Sequence, residues 1–177
     1  EHPEGWCVRT WGDGGIYDHR LTYDKTTRVT VVEDSRGGRR QYFGDARGLV
    51  IKRVDETGGA GRYEYDESYR RVAEEDPNGA RSSWRYDDRG DPVEQVDALG
   101  NALRIGYDAL GAPVEVLGRG GQRSRAEWDA RALPVWTEDP SGAVYQYHHD
   151  ARGNLTAVDG PAGARQTWTY GADGFVL

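Results

Sequence analysis

Apolar and polar residues alternate in short runs along this chain, and each run ends at a turn signal. Between Gly79 and Gly100, Ser82, Trp84 and Tyr86 fall on one side of an extended segment, with Ser83, Arg85 and Asp87 on the other. A period of two predicts a strand. Asp87-Asp88-Arg89-Gly90 follows, with glycine where a turn often needs positive φ. Pro92 to Val96 predicts a second strand, and Asp97-Ala98-Leu99-Gly100 a second turn. The equivalent Asp76-Pro77-Asn78-Gly79 places Asp, Pro and Gly at the first, second and fourth positions of a type I turn, and Asp139-Pro140-Ser141-Gly142 repeats that chemistry. Pro92, Pro113 and Pro134 hold one equivalent place just after a turn, where a strand can begin without losing a ladder donor. Val29, Val31 and Glu33, alternating with Thr30, Val32 and Asp34, give the strongest strand propensity. Each unit is thus two short antiparallel strands and two tight turns, the turns alternating between the two edges of a ribbon.

The unit recurs about every 21 residues without an insertion. Asp24, Asp45, Asp66, Asp87, Asp108, Asp129 and Asp150 keep step, and only Gly171 breaks the column. The residue before each is Tyr23, Gly44, Tyr65, Tyr86, Tyr107, Trp128, His149 and Tyr170. Two positions earlier stand Leu21, Tyr42, Tyr63, Trp84, Ile105, Ala126, Tyr147 and Trp168. The mid-repeat glycine, Gly37 through Gly163, is never lost, and an Asp precedes it by three residues except at Gly118 and Gly160. Residues 1–20 read as a degenerate repeat or a junction, and 21–177 as tandem repeats. Gly58-Gly59-Ala60-Gly61, Arg119-Gly120-Gly121 and Asp159 to Gly163 read as loose connections. The fold expected is all-β: tandem β-hairpins forming a curved, open antiparallel sheet, an arc of a larger β-shell.

Composition sharpens this picture. Apolar residues are only 36% and mean hydropathy is −0.86, low for a compact core. Tyr and Trp offset the deficit, because their rings bury area while their polar tips stay solvated. A net charge of −7 argues against a nucleic-acid footprint. Lys25 and Lys52 are the only lysines among 23 basic residues, so ladders of Arg-Asp pairs and Arg-aromatic stacking are expected. Cys7 stands alone and forms no internal disulfide. No apolar run approaches the roughly 20 residues of a spanning helix, so no membrane span is expected. The lack of methionine, and a C-terminus partway into a unit, read as a piece of a longer polypeptide.

Tyr-Asp-x-x-Gly every 20 or so residues, with Asp-Pro-x-Gly between, resembles the YD repeat of RHS proteins. His149-Asp150-Ala151-Arg152-Gly153-Asn154-Leu155-Thr156 matches that pattern closely, though His stands for Tyr. Trp11-Gly12-Asp13-Gly14-Gly15-Ile16-Tyr17-Asp18 resembles a stretch of bacterial RHS proteins. The resemblance covers Trp6 to Gly174. It implies a β-ribbon spiralling into a hollow shell. In bacterial members and the related Tc toxin complexes that shell encloses a C-terminal toxic domain; in teneurins a similar shell serves adhesion outside the cell. Members that release a toxin carry a cleavage motif, which is not found here; the two Asp-Pro-x-Gly segments are turns of the repeat.

Candidate chemistry is sparse. The turn aspartates are too alike to supply the unlike acid and base that a glycosidase needs. His148 and His149 are neighbours on a strand and point to opposite faces, so they do not converge on a metal. Cys7 lacks an activating pattern, and the Gly-rich turns precede no helix that would cradle phosphate. No catalytic, cofactor-binding or metal residue is assigned, and no cofactor or enzyme activity is expected. The leading expectation is a structural segment of an RHS shell that walls off a toxin until delivery by a bacterial secretion route. Its partners would be the rest of the parent shell and the enclosed toxin. The alternative is a cell-surface module binding carbohydrate through exposed Tyr and Trp rungs; the exposure of Tyr65, Tyr86 and Tyr107 discriminates the two. Free strand edges also predict self-association.

Overall fold

The computed structural model describes residues 5–15 and 17–177; Glu1 to Glu4 and Ile16, the latter inside the Trp11–Asp18 stretch, lie outside the described residues. Sixteen strands account for the regular structure: β1 Arg9–Thr10, β2 His19–Asp24, β3 Val29–Asp34, β4 Arg39–Gly44, β5 Val50–Val54, β6 Ala60–Tyr65, β7 Arg71–Glu75, β8 Arg81–Tyr86, β9 Pro92–Val96, β10 Ala102–Tyr107, β11 Pro113–Leu117, β12 Arg123–Trp128, β13 Pro134–Glu138, β14 Val144–His149, β15 Leu155–Asp159 and β16 Arg165–Thr167. Two short 3₁₀ turns, Asp13–Gly15 and Pro161–Gly163, complete it, and no α-helix occurs among the described residues. Contacts divide the chain into two units, Glu1–Trp84 and Arg85–Leu177. Inside each unit the strands lie in chain order, each antiparallel to the next. The all-β class, the tandem hairpins and the open antiparallel pairing follow the expectation from sequence.

The second unit shows how a repeat is built. β10 and β11 are joined by the turn at Asp108, and their register skips one residue between Gly106 and Tyr107, leaving Val114 unpaired. The same bulge leaves Val135 and Thr156 unpaired in β12–β13 and β14–β15. In the first unit it leaves Ile51 and Val72 unpaired. Every bulged residue is β-branched, a type whose stiff side chain suits an extended backbone. In the second unit the alternate pairings are shorter: β9 and β10 match only at Ala102↔Val96, Leu103↔Gln95 and Arg104↔Glu94. Pro92, Pro113 and Pro134 each begin a strand, as their missing donor requires.

Burial is shallow. Among the described residues the buried apolar positions are Ala73 and Ala157, and no large side chain is fully buried. β3, expected to alternate, is half-buried at all six positions. The accessible surface is 12136 Å². A compact monomer of 19.7 kDa would show about 8,600 Å². Stability therefore rests on ladders, turns and half-covered rings rather than on a core.

The segments read as loose connections are tight. Gly58 adopts φ 89 at a closed turn. A Cβ at Gly59 would meet Asp55 Oδ2 at 2.7 Å, so the turn carboxylate packs close against it, and Gly61 is buried within β6. At Gly118 the turn closes with the same backbone bonds as its Asp counterparts, Gly118 N–H to Gln122 C=O and Gly121 N–H to Gly118 C=O. After Asp159 ends β15, Pro161–Gly163 forms a 3₁₀ turn closed by Ala164 N–H on Pro161 C=O. Glycine content marked these places as flexible; hydrogen bonding makes them defined.

Candidate functional site

The repeated turn is the best-defined local structure. At Asp97 the backbone N–H bonds to Asn101 C=O and the Gly100 N–H bonds back to Asp97 C=O. The Asp97 Oδ1 accepts the N–H groups of Leu99 and Asn101, each at 2.9 Å. One carboxylate oxygen thus satisfies two donors that the turn leaves without a ladder partner. The same arrangement holds at both edges of the repeat, for example at Asp76, Asp87, Asp108, Asp129, Asp139 and Asp150. Gly90 and its counterparts sit at positive φ, but Tyr69 and Ala132 hold φ 66 and 59 in the same place. The first repeat differs: Thr27 stands where glycine does elsewhere, and Arg28 takes the positive φ instead.

These hydrogen bonds hold the carboxyls of Asp34, Asp76, Asp97, Asp129 and Asp150 below their ordinary range. For Asp76, Asp34 and Asp129 the first cause is the backbone N–H of Ala80, Gly38 and Leu133. For Asp97 and Asp150 it is the side-chain amide of Asn101 and Asn154. Carboxylates held ionised and engaged in their own turns are acceptors, not poised general acids.

Arginine makes the expected pairs with Asp and further pairs with Glu. Across strands its partner is Glu: Arg62–Glu75 at 2.9 Å, Arg81–Glu64 at 2.8 Å, Arg104–Glu94 at 2.7 Å and Arg125–Glu138 at 2.6 Å. Asp serves as well, because the turn engages mainly one carboxylate oxygen: Arg165 pairs with Asp159 across β15 and β16 at 3.0 Å, and the Oδ2 atoms of Asp45, Asp66 and Asp129 accept Arg47, Arg70 and Arg131 within their turns. Along the Tyr-Asp edge arginine also links one repeat to the next. Arg89 Nη1 donates to the Asp108 and Ala109 carbonyls one repeat on, at 3.0 and 3.2 Å. Arg47 reaches Asp66 C=O at 2.8 Å and Arg131 reaches Asp150 C=O at 3.2 Å. Arg119–Asp97, at 3.0 Å, bridges two successive turns on the opposite edge. Arg-aromatic contacts occur at Arg47 over Tyr69 and Arg71 over Tyr63.

The ring column lies half-buried. Tyr65, Tyr86 and Tyr107 form neither a buried row nor an exposed strip. The tips are tied: Tyr65 OH donates to Val50 C=O and Tyr107 OH to Pro92 C=O, both at 3.0 Å. Trp128 Nε1 donates to Pro113 C=O and Tyr170 OH to Leu155 C=O, both at 2.8 Å. Each ring spans from the end of one strand to the start of the strand before it, where the short ladder has already ended.

Two clefts open where a ring is missing. In the first unit a cleft of about 360 Å³ lies over Gly44, which replaces the repeat's Tyr. In the second a cleft of about 410 Å³ lies over Ala126, which replaces the aromatic residue two positions before it. The sequence columns contained both signals, a small residue in a row of rings, but spacing alone does not tell whether neighbours close the gap.

Other candidates carry no assembled chemistry. His148 is exposed and its Nε2 lies 2.7 Å from Asp159 Oδ2, while His149 is half-buried. Cys7 is exposed, with Sγ 3.5 Å from Arg9 C=O. No group of three His, Cys, Asp or Glu residues converges as a metal site, and no helix is long and apolar enough to cross a membrane, among the described residues.

Residues 44–82 and 137–166 match the family model described as RHS Repeat. No curated protein matches the chain. Among solved structures, the crystal structure of TcdB2-TccC3-TEV superposes with a TM-score of 0.61 at 15% identity, covering 98% of this chain and 12% of that one. The Photorhabdus luminescens Tc holotoxin pore gives 0.38 at 14% identity, over 99% of this chain and 15% of that one. At such identity the likeness to the first is one of fold, and this chain spans about an eighth of its length.

Proposed function

We propose that this chain, whose residues 44–82 and 137–166 match the RHS Repeat model, is a wall segment of a hollow shell enclosing a C-terminal toxic domain until delivery to a target cell. The observation that carries the reading is shallow burial. A sheet whose largest side chains are all partly exposed, with about 40% more surface than a compact monomer of its mass, suits a wall completed by neighbouring turns. In this reading residues 21–177 are the wall repeats and 1–20 the junction to what precedes them. The partners are the remaining turns of the parent shell and its cargo, and the route is secretion. The role is mechanical: no side chain acts as a catalyst, and no cofactor or metal takes part. The carbohydrate reading gains nothing from Tyr65 and Tyr107, whose hydroxyls are already spent on backbone carbonyls.

Limited proteolysis of the parent protein tests this. The C-terminal domain is expected to resist cleavage in the intact parent and to be degraded once residues 21–177 are deleted. Equal resistance in both would reject the enclosing role.

A further inference from the structure

We propose that the cleft over Ala126 is a slot for one aromatic side chain, Trp or Tyr, presented by a polypeptide partner. The inference does not depend on the enclosing role. Along the repeats this column reads Tyr42, Tyr63, Trp84, Ile105, Ala126, Tyr147 and Trp168. Ala126 is thus a gap of ring size in a row of large side chains. It lies opposite Thr137, which lies opposite Tyr145, while Ser124 lies opposite Val116. The floor is therefore small. Val114 and Val116 wall one side, Tyr145 and Tyr147 the other, and Trp128 closes the end.

The walls are held in place before anything binds. Tyr147 OH lies 3.0 Å from Thr137 Oγ1, and Trp128 Nε1 is fixed on Pro113 C=O at 2.8 Å. At the rim Arg125 is already paired with Glu138, and Arg123 with Glu115. The slot therefore asks for no charge. Its volume of about 410 Å³ lies at the small end of ligand pockets, and its three rings favour edge-on or offset contact with a fourth.

The chain itself supplies the precedent for the occupant. At the other broken rung, over Gly44, the cleft is lined by Trp6, which lies before the regular repeats. Trp6 stands edge-on to Tyr23, with centroids 4.7 Å apart and planes at 74°. A tryptophan from outside the row is set against it there. Over Ala126 all lining residues come from β11 to β14 and the turn after β13, and no outside ring is among them.

The test is titration of N-acetyltryptophanamide into the chain, read by NMR at the methyls of Val114, Val116 and Ala126. Saturable shifts confined to these methyls are expected, with N-acetylleucinamide binding about tenfold more weakly. Ala126→Trp fills the slot from within and should abolish the shifts at Val114 and Val116. Ala126→Leu, a smaller change, should weaken them and guards against a misfolded first variant. No saturation, equal binding of the leucine probe, or unchanged shifts in both variants would overturn the proposal. Saturation by methyl β-glucoside or by free indole, without N-acetyltryptophanamide binding, would also overturn it, making the cleft a sugar or small-molecule site.

Discussion

The Tyr107 hydroxyl donates a 3.0 Å hydrogen bond to the carbonyl of Pro92, 15 residues earlier. The ladder between β9 and β10 ends at Arg104↔Glu94, so this carbonyl lies beyond the paired register. The ring covers the opening and its hydroxyl satisfies the acceptor. Tyr107→Phe keeps the ring and removes the bond, and should cost about 0.5–1.5 kcal/mol. Urea unfolding should show a lower midpoint with an unchanged slope. Tyr17→Phe, at a ring 76% exposed, serves as the control. Equal midpoints for both variants would count against the tie. Burial also raises the Tyr107 pKa, followed by the nearby Asp91 and Asp87 carboxylates. A raised pKa in the fold means that this contribution is intact below pH ~10 and is lost as pH rises through the folded value.

Ala132 holds φ 59 where the equivalent turns use glycine. An L-residue in that region is strained by about 1–2 kcal/mol. Ala132→Gly should therefore raise stability by about 1 kcal/mol, after the extra entropy of glycine in the unfolded chain is allowed for. Tyr69→Gly relieves the same strain at φ 66 but removes the ring under Arg47, 5.5 Å away. That contact is worth about 0.5–1 kcal/mol at an exposed site, so the net gain should be smaller. Thermal midpoints rank the two, and a lower midpoint for Ala132→Gly would contradict the strain.

The turn carboxylates predict an acid limit. Asp76, Asp129 and Asp97 have lowered pKa values in the fold, so they contribute stability above the unfolded value of about 4. That contribution is lost as pH falls through the folded values. Unfolding midpoints should be flat from pH ~7 to ~5 and fall below ~4. Asp76→Ala strips the acceptor from the Asn78 and Ala80 N–H groups and should lower the unfolding midpoint at neutral pH. It should also flatten the acid slope, which an unrelated destabilisation would not do.

Much of this fold is written in a period. The step between Asp87 and Asp108 fixes where strands and turns fall, and the prolines agree because a strand start needs no donor. A period does not give register. The skipped residue at Val114 becomes visible only when β10 is set against β11. Partner choice is hidden for a related reason: Arg104 could meet Asp or Glu by composition, and the strand register sets it opposite Glu94. The Arg89 staple to Asp108 C=O was hidden because carbonyls carry no sequence signature. Of the candidate slot, the sequence held Ala126 but not its walls, since Val116 and Tyr145 lie on different strands.

The last prediction concerns the exposed rim of the sheet. β16 pairs with β15 through Ala157↔Thr167, Val158↔Gln166 and Asp159↔Arg165, and all three of its residues are exposed. Trp168 N–H bonds inward to Thr156 C=O. Donors alternate along an antiparallel strand, so Gln166 also donates inward and Thr167 outward. Just past β16 the outward side is met by the chain itself, Leu177 N–H on Thr169 C=O and Tyr170 opposite Val176; the outward groups of β16 offer a template to another strand, and it carries no proline or lysine to block it. Light scattering coupled to size exclusion should show mass rising with concentration. Thr167→Pro removes an outward donor without touching the inward ladder, so it should lower self-association while leaving the unfolding midpoint within about 0.5 kcal/mol. Gln166→Pro removes an inward donor and should destabilise β16 itself. A monomer at every concentration would mean that this edge is not a template. Association unchanged by Thr167→Pro would move the contact elsewhere, with Phe175 and Leu177, both largely exposed, as the next apolar groups to replace.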